Sequence, residues 1–202
     1  MPNDLKLTRR RLGLVLAASV VTLSLPKPAS AITVDGARAL VGKTVDAVNS
    51  IINSGKSESA MLGDFEKLFA RYADVPVIAR SALGVAAKSA TKAQLSAFTK
   101  AFQGYISRKY GRRFREFSGG RIDVTDARPL KSYFEVVSVA TLPGEAPFDL
   151  RWHVSDKSGR DLFFNLIIEG VNMLASERAE IGALLDKRKG NLDQLIADMK
   201  SL

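Results

Sequence analysis

The strongest clue to the fold class is the octapeptide Phe148-Asp149-Leu150-Arg151-Trp152-His153-Val154-Ser155. Apolar and polar residues alternate along it with a period of two, the pattern of a β-strand with one buried face. The turn sequence Asp156-Lys157-Ser158-Gly159 follows, and then the apolar run Leu162 to Ile168. Two further strands are predicted upstream, at Ile122 to Ala127 and Tyr133 to Leu142. The short spacing between these four strands predicts an antiparallel meander.

Helical spacing flanks the predicted sheet on both sides. Before it, apolar residues recur at helical intervals over Val34 to Asn53, Ser59 to Tyr72, Asp74 to about Ala90, and about Lys92 to Phe117. Thr91-Lys92-Ala93-Gln94 is a capping box that begins the longest helix. After Gly170 the helical period returns, with Ser176 as the expected N-cap, and continues almost to Leu202. Helices, then strands, then helices predict an α+β fold in which a four-stranded antiparallel sheet packs against several helices.

The first 31 residues have the features of an export signal. Arg9, Arg10 and Arg11 precede an apolar run from Leu12 to Leu25, which is shorter than the ~20 residues that span a bilayer. Ala29-Ser30-Ala31 then supplies the small residues that signal peptidase accepts. We therefore expect cleavage after Ala31, a twin-arginine or Sec route, and one folded domain over residues 32–202.

Charge and composition narrow the function classes. The formal net charge of the 202 residues is +9, but the predicted signal carries +4, so residues 32–202 carry +5. An exported protein rarely meets nucleic acid, and we expect no such partner. The chain has no cysteine and one histidine, which excludes disulfides, zinc–thiolate sites and multi-histidine metal sites.

Two segments hold more apolar residues than a simple core requires. The strand Leu162 to Ile168 is apolar on both faces, so it is either covered on both sides or lines a cavity. The longest helix carries six aromatic residues at intervals of three to five, namely Phe98, Phe102, Tyr105, Tyr110, Phe114 and Phe117. The spacing alone is compatible with an aromatic core and with one wall of an apolar pocket.

Basic and aromatic residues interleave from Lys109 to Phe117. This pattern is compatible with a solvated helix end, with nucleic-acid contact, and with recognition of lipid phosphate or an acidic protein. Export favours recognition of lipid phosphate or an acidic protein over contact with nucleic acid.

Catalytic motifs are weak. Gly42-Lys43-Thr44 lacks a correctly spaced preceding glycine and a preceding strand, so it is not a phosphate-binding loop. Any Ser-His-Asp site would need His153, which the alternation places on the polar face of its strand, where an exposed structural histidine is expected. The sequence therefore predicts a protein that is not an enzyme.

Several segments together resemble one family. They are Tyr72-Ala73-Asp74-Val75-Pro76-Val77-Ile78-Ala79-Arg80-Ser81-Ala82-Leu83-Gly84, then Ser89-Ala90-Thr91 with Gln94, Ala97, Phe98, Ala101, Phe102 and Tyr105, then Tyr110-Gly111, and finally Ile168-Glu169-Gly170-Val171-Asn172-Met173. Their order and combination, over essentially all of residues 32–202, are similar to the MlaC family of periplasmic phospholipid-shuttle proteins, also called toluene-tolerance proteins. The chain departs from the family at Asn172, where serine is commoner, and at Ala86-Ala87-Lys88, where a bulkier aromatic or basic residue is usual.

The resemblance implies a periplasmic carrier whose apolar pocket encloses the acyl chains of a phospholipid and leaves the headgroup exposed. It implies transfer between an outer-membrane lipoprotein complex and an inner-membrane transporter with MCE domains, as the soluble component of an ABC-type system that maintains outer-membrane lipid asymmetry. We expect a monomer that needs no cofactor or metal, the phospholipid being cargo. An envelope hydrolase on a similar scaffold and a non-carrier envelope interaction module are the alternatives.

On this hypothesis, apolar residues of the long helix, the strands and the flanking segments bind the lipid. The predicted lipid-binding residues are Val75, Ile78, Leu83, Phe98, Phe102, Tyr105, Tyr110, Val136, Leu150, Trp152, Phe164, Leu166, Ile168, Gly170, Val171 and Met173. Arg112, Arg113 and Arg115 are the candidates for contact with a headgroup or a partner.

Overall fold

The computed structural model describes residues 31–113, without the side chain of Arg113, and residues 117–202. Four α-helices come first, with a 3₁₀ turn at Gly84–Lys88; they are α1 (Val34–Ile52), α2 (Glu58–Tyr72), α3 (Val75–Leu83) and α4 (Lys92–Arg113). Five strands follow, β1 (Arg121–Leu130), β2 (Tyr133–Thr141), β3 (Phe148–Ser155), β4 (Leu162–Ile168) and β5 (Val171–Asn172). The described chain closes with helices α5 (Met173–Asp186) and α6 (Leu192–Asp198).

The strands form one antiparallel sheet in the order β1-β2-β3-β4-β5. The predicted α+β class and antiparallel meander are confirmed, and β3 and β4 have the predicted bounds. The sheet has five strands rather than four, because Val171 and Asn172 fold back on Ile168 and Ile167 before α5 begins. Two residues are too few to show an alternating pattern, so the sequence contains no sign of β5.

One face of the sheet packs against the helices and forms the main core. Val136, Ser138 and Ala140 of β2 are fully buried on this face. The register pairs Val136 with Trp152 of β3, whose indole N–H donates to the Ser138 hydroxyl at 2.8 Å. Helix α1 covers β1 and β2, while α5 packs on β4. The sheet thus provides the floor on which the helices are arranged.

Local capping sets where several helices begin. The Thr91 hydroxyl accepts from the Gln94 amide N–H, and the Gln94 side chain accepts in return from the Thr91 N–H, both at 3.1 Å. This confirms the predicted capping box at the start of α4. The Asp74 carboxylate accepts from the Val77 N–H and thereby caps the start of α3.

Two predicted helix bounds are wrong. The third helix ends at Leu83 rather than near Ala90, because Gly84 adopts a positive φ of 64° and a 3₁₀ turn follows. The last helical stretch is divided at residues 187–191, where Lys189 and Gly190 both have positive φ. The fourth helix was predicted to end at about Phe117, which lies in a turn; residues 114–116 before it lie outside the described residues.

The cap of α5 also differs from its prediction. The Asn172 side chain, not Ser176, accepts from the Ala175 N–H at 3.1 Å. Asparagine and serine are comparably good N-caps. The departure from the family's usual serine therefore preserves the start of this helix.

The other face of the sheet is less exposed than the alternation predicts. His153 was expected to be exposed, but it is buried beneath the rings of Tyr133 and Phe164, whose centroids lie 4.7 Å and 5.9 Å from the imidazole. The cover arises from a register shift between His153 and Val154, which inserts Phe164 as an extra residue in β4. A bulge of this kind re-aims side chains and cannot be read from a period-two pattern.

Candidate functional site

A cavity lies between the inner face of the sheet and the surrounding helices. Its empty space is about 890 Å³, including the part that opens to solvent. Its lining comes from α1 to α5 and from strands β3 and β4, and consists of Val48, Phe65, Leu68, Phe69, Ile78, Ile106, Ser107, Tyr110, Gly111, Trp152, Phe163, Phe164, Asn165, Leu166, Ile168, Met173, Leu174 and Glu177.

Two local features shape the walls of the cavity. Gly111 of α4 faces α2, where a β-carbon at that position would stand 2.4 Å from a methyl group of Leu62. The glycine therefore allows the two helices to approach. On the opposite wall, Trp152 of β3 pairs in register with Leu166 of β4, which places large apolar side chains side by side.

Among the described residues of the lining, polar side chains belong to Ser107, Tyr110, Asn165 and Glu177. The Ser107 hydroxyl donates to the Gln103 carbonyl at 2.9 Å, within its own helix. The Asn165 carbonyl oxygen accepts from the N–H groups of Leu166 and Leu174, at 2.9 Å and 3.2 Å. These groups are satisfied by the protein, so the wall around them behaves as an apolar surface.

Glu177 is different, because it is a buried carboxylate at the cavity wall. Its Oε1 accepts from the Lys109 ammonium at 2.7 Å and from the Tyr110 hydroxyl. Lys109 also bonds Glu180, which in turn accepts from the Tyr105 hydroxyl at 2.5 Å. We call Tyr105, Lys109, Tyr110, Glu177 and Glu180 the Glu177 cluster.

The pKa shifts in this cluster follow from burial and from these bonds. Burial alone would lower the pKa of Lys109, but its bonds to Glu177 and Glu180 outweigh burial and raise it. Burial also opposes the ionised form of Glu180, yet its bonds to Lys109 and Tyr105 lower the pKa of that carboxyl. Burial, and then the bond to Glu180, raise the pKa of Tyr105. The cluster is therefore charged at neutral pH at Lys109 and Glu180, with Tyr105 neutral.

The structure brings part of the predicted lipid-binding set together. The predicted residues that line the cavity are Ile78, Tyr110, Trp152, Phe164, Leu166, Ile168 and Met173. They come from three helices and two strands. The remaining members of the set lie elsewhere.

The remaining members have three kinds of position. Those buried in the core outside the lining are Val75, Leu83, Phe98, Phe102, Tyr105, Val136 and Leu150. Phe98 and Phe102 are fully buried and pack on each other with ring centroids 5.7 Å apart. Val171 is exposed, and Gly170 forms the β4–β5 turn with a φ of 80°.

The basic candidates are only partly within the described residues. Arg112 is exposed. Arg115 and the side chain of Arg113 lie outside the described residues, as do residues 1–30 of the predicted signal.

Eleven of the eighteen described lining residues were not among the predicted ones. Phe65, Leu68 and Phe69 form the apolar stripe of α2, and that stripe was the available signal. On α4, Ile106 and Gly111 line the cavity, whereas Phe98 and Phe102 are buried in the core outside the lining. No sequence signal marks Glu177, since a glutamate in a helix is normally exposed.

The lining of the cavity is mainly apolar. Within the described residues, no group of three or more His, Asp or Glu side chains is placed to hold a metal ion. His153 lies outside the cavity lining. No helix in the described part of the chain is long and apolar enough to cross a bilayer.

Comparisons with known proteins agree with this geometry. Among solved structures, the chain is similar to the phospholipid-binding protein from Ralstonia solanacearum in complex with a phospholipid, with 20% identity and a TM-score of 0.67. The match covers 82% of this chain and 99% of that one, and it establishes a common fold. The sequence profile of the MlaC protein family matches residues 42–201, which is most of the chain. This protein therefore belongs to the MlaC family.

Proposed function

We propose that this chain is a phospholipid carrier of the bacterial envelope, not an enzyme. The observation that carries the proposal is the cavity, whose wall is apolar apart from the few polar groups described above. Family membership supports the same function. So does the shared fold with a protein that was solved in complex with a phospholipid.

Transfer energetics explain why such a carrier is needed. Each buried CH₂ is worth about 0.8 kcal/mol, so ~30 methylenes in water would cost on the order of 24 kcal/mol. A cavity about as apolar as a bilayer makes exchange between membrane and carrier nearly neutral. We infer that the direction of transfer comes from the partners rather than from the carrier.

The finer assignments extend this proposal. The N-terminal segment directs export to the periplasm and is removed after Ala31. The mature protein is a monomer that exchanges lipid with an outer-membrane lipoprotein complex and with an inner-membrane MCE-domain transporter of the ABC type. The exposed Arg112, with Arg113 and Arg115, contributes basic charge for a headgroup or a partner. Resemblance to the family supports the two membrane complexes as partners. The run of arginines over residues 112–115 supports the contact with a headgroup or a partner.

The test uses two aspartate variants of one strand. Leu166 lines the cavity, whereas its neighbour Ile167 does not. A buried carboxylate in the wall is strongly unfavourable beside acyl chains. We expect purified Leu166→Asp to carry at least tenfold less phospholipid than the natural protein, measured by solvent extraction and mass spectrometry.

Ile167→Asp is the matched control, because it adds the same charge one residue away and should keep its lipid. Circular dichroism checks that both variants fold. A natural protein that yields a clean extract and takes up no lipid from vesicles would contradict the carrier and favour a non-carrier module. Equal lipid in the two variants would contradict the proposed site.

A further inference from the structure

Among the side chains that the structure describes in the cavity wall, one buried polar atom has no hydrogen-bond partner. Glu177 is 3% exposed and lines the cavity, and both of its protein donors, Lys109 and Tyr110, bond the same oxygen, Oε1. The other oxygen, Oε2, is buried and receives no hydrogen bond from any residue that the structure describes. A carboxylate accepts about four hydrogen bonds when fully satisfied.

A buried acceptor without a hydrogen bond lowers the stability of the folded protein, unless a molecule in the cavity donates to it. Leaving a buried charged group unsatisfied is more unfavourable than leaving a neutral one, and native proteins rarely do so without a functional reason. The other polar side chains of the lining already have partners within the protein. Among the described lining residues, Glu177 is therefore the one whose side chain can accept a further hydrogen bond from a bound molecule.

The position of the cluster fits the polar end of a lipid. Exposure rises from 4% for the Glu177 side chain through 29% for Lys109 to 46% for Glu180. The cluster therefore extends from the cavity wall to solvent. Its two carboxylates and one ammonium leave an excess of negative charge, which repels phosphate oxygens and attracts N–H or O–H donors.

We propose that Glu177 selects the cargo by accepting a hydrogen bond from an N–H or O–H group in the polar part of the bound lipid. This rests on the proposed carrier function and adds a preference to it. The donor is either the ammonium of an ethanolamine headgroup or a hydroxyl of a glycerol headgroup. A choline headgroup has neither and should be disfavoured.

The test compares three lipids that differ only in the headgroup. Delipidated protein is incubated with vesicles of dioleoyl phosphatidylethanolamine, phosphatidylglycerol and phosphatidylcholine in equal amounts, and the bound lipid is extracted and quantified by mass spectrometry. We expect one donor-bearing lipid to exceed phosphatidylcholine by about tenfold, the effect of one charge-assisted hydrogen bond. Which of the two dominates identifies the donor as an ammonium or a hydroxyl.

Glu177→Gln is the informative variant. Lys109 and Tyr110 are both donors, so they hold the carbonyl oxygen of the new amide, and the NH₂ group takes the place of Oε2. A donor then stands where the acceptor stood, and the preference should fall to about one. Glu180→Gln is the matched control, since Glu180 belongs to the cluster but not to the lining, and it should keep the preference.

The possible failures are distinguishable. If the natural protein loads no lipid of any kind, the carrier function itself is contradicted. If it loads all three lipids equally or prefers phosphatidylcholine, or if folded Glu177→Gln keeps the natural preference, the carrier stands and selection by Glu177 is overturned. If Glu177→Gln does not fold, the three-lipid comparison on the natural protein decides alone.

Discussion

His153 shows how a single buried residue can link stability to pH. The Asn165 carbonyl is occupied by two backbone N–H donors, so its NH₂ group faces the imidazole Nδ1 at 3.3 Å. Nδ1 must then be the acceptor, which places the ring proton on Nε2, 3.6 Å from the Glu135 carboxylate. A second proton on Nδ1 would place two hydrogen-bond donors, the ring N–H and the Asn165 NH₂ group, face to face.

Burial is the largest influence on this imidazole and lowers its pKa, while Glu135 offsets part of the effect. Glu135 is itself bonded by Arg128 and lies near Arg151, so its charge is shared. His153 is therefore neutral in the folded protein at neutral pH.

We predict that the folded protein loses stability as the pH falls below about 6.5, the ordinary histidine pKa. In that window the unfolded chain binds a proton at His153 and the folded protein does not, so acid favours unfolding. His153→Gln should show a smaller loss of melting temperature between pH 7 and pH 5.5.

Because the chain has one histidine, its imidazole resonance in NMR titration reports this pKa directly. A midpoint at or above 6.5 in the folded protein would contradict the prediction. So would equal pH dependence of the natural protein and His153→Gln.

At the scale of the secondary-structure elements, Gly42 and Gly120 differ in how much free space surrounds them. Gly42 lies within α1, and a β-carbon there would meet nothing within 4 Å. Gly120 precedes β1, and a β-carbon there would stand 2.8 Å from the Phe117 carbonyl and 3.1 Å from the Thr141 carbonyl. Backbone atoms cannot give way as a flexible side chain can.

We predict that Gly42→Ala raises the free energy of unfolding by about 0.5–1 kcal/mol, because alanine is the better helix former. Gly120→Ala should lower it by about 1–3 kcal/mol through steric overlap. Urea denaturation of the two variants measures both changes. If both substitutions changed the free energy of unfolding in the same direction, the prediction that the free space around each glycine decides the effect would be contradicted.

The elements that sequence reasoning predicted correctly are those whose signals are local. The strands β3 and β4 follow from alternation, from an apolar run and from the turn between them, and α4 begins at a capping box within four residues of sequence. The break between α5 and α6 depends on a positive φ at Lys189, which its residue type does not favour. The burial of His153 depends on a bulge in the neighbouring strand.

The same distinction holds for the candidate site. Leu166 and Ile168 could be predicted because β4 is apolar on both faces, and a surplus of apolar residues is visible in sequence. Glu177 could not, since its burial depends on Lys109, which lies 68 residues away in the chain. Phe98 and Tyr110 belong to one aromatic series on α4, and only the packing of that helix separates the core position from the lining position.

For the whole molecule, the fold must combine a stable core with a space reserved for cargo. Side chains around a cavity lack packing partners on one side, so the protein forgoes part of the dispersion energy that a filled core would supply. Helix α1 on β1 and β2, and α4 against α2 and α3, form the contiguous packing that compensates. Cargo that fills the cavity returns the missing contacts.

Lipid should therefore stabilise the folded protein by mass action. A ligand that binds only the folded state contributes about 2.7 kcal/mol when its free concentration is 100 times Kd. For a domain of this size, that corresponds to a rise of about 5–10 °C in melting temperature. We predict such a rise when delipidated protein is reloaded from vesicles, measured by circular dichroism or calorimetry.

The two strand variants make this prediction specific to the cavity. Ile167→Asp should show the full rise on reloading, because its new charge lies outside the lining, whereas Leu166→Asp should show little or none. A rise that is equal in both variants would mean that lipid stabilises the protein from its surface. A rise confined to proteins with an intact wall links the reserved space in the core to the cargo, because only a molecule that fills this space can restore the contacts that its lining lacks.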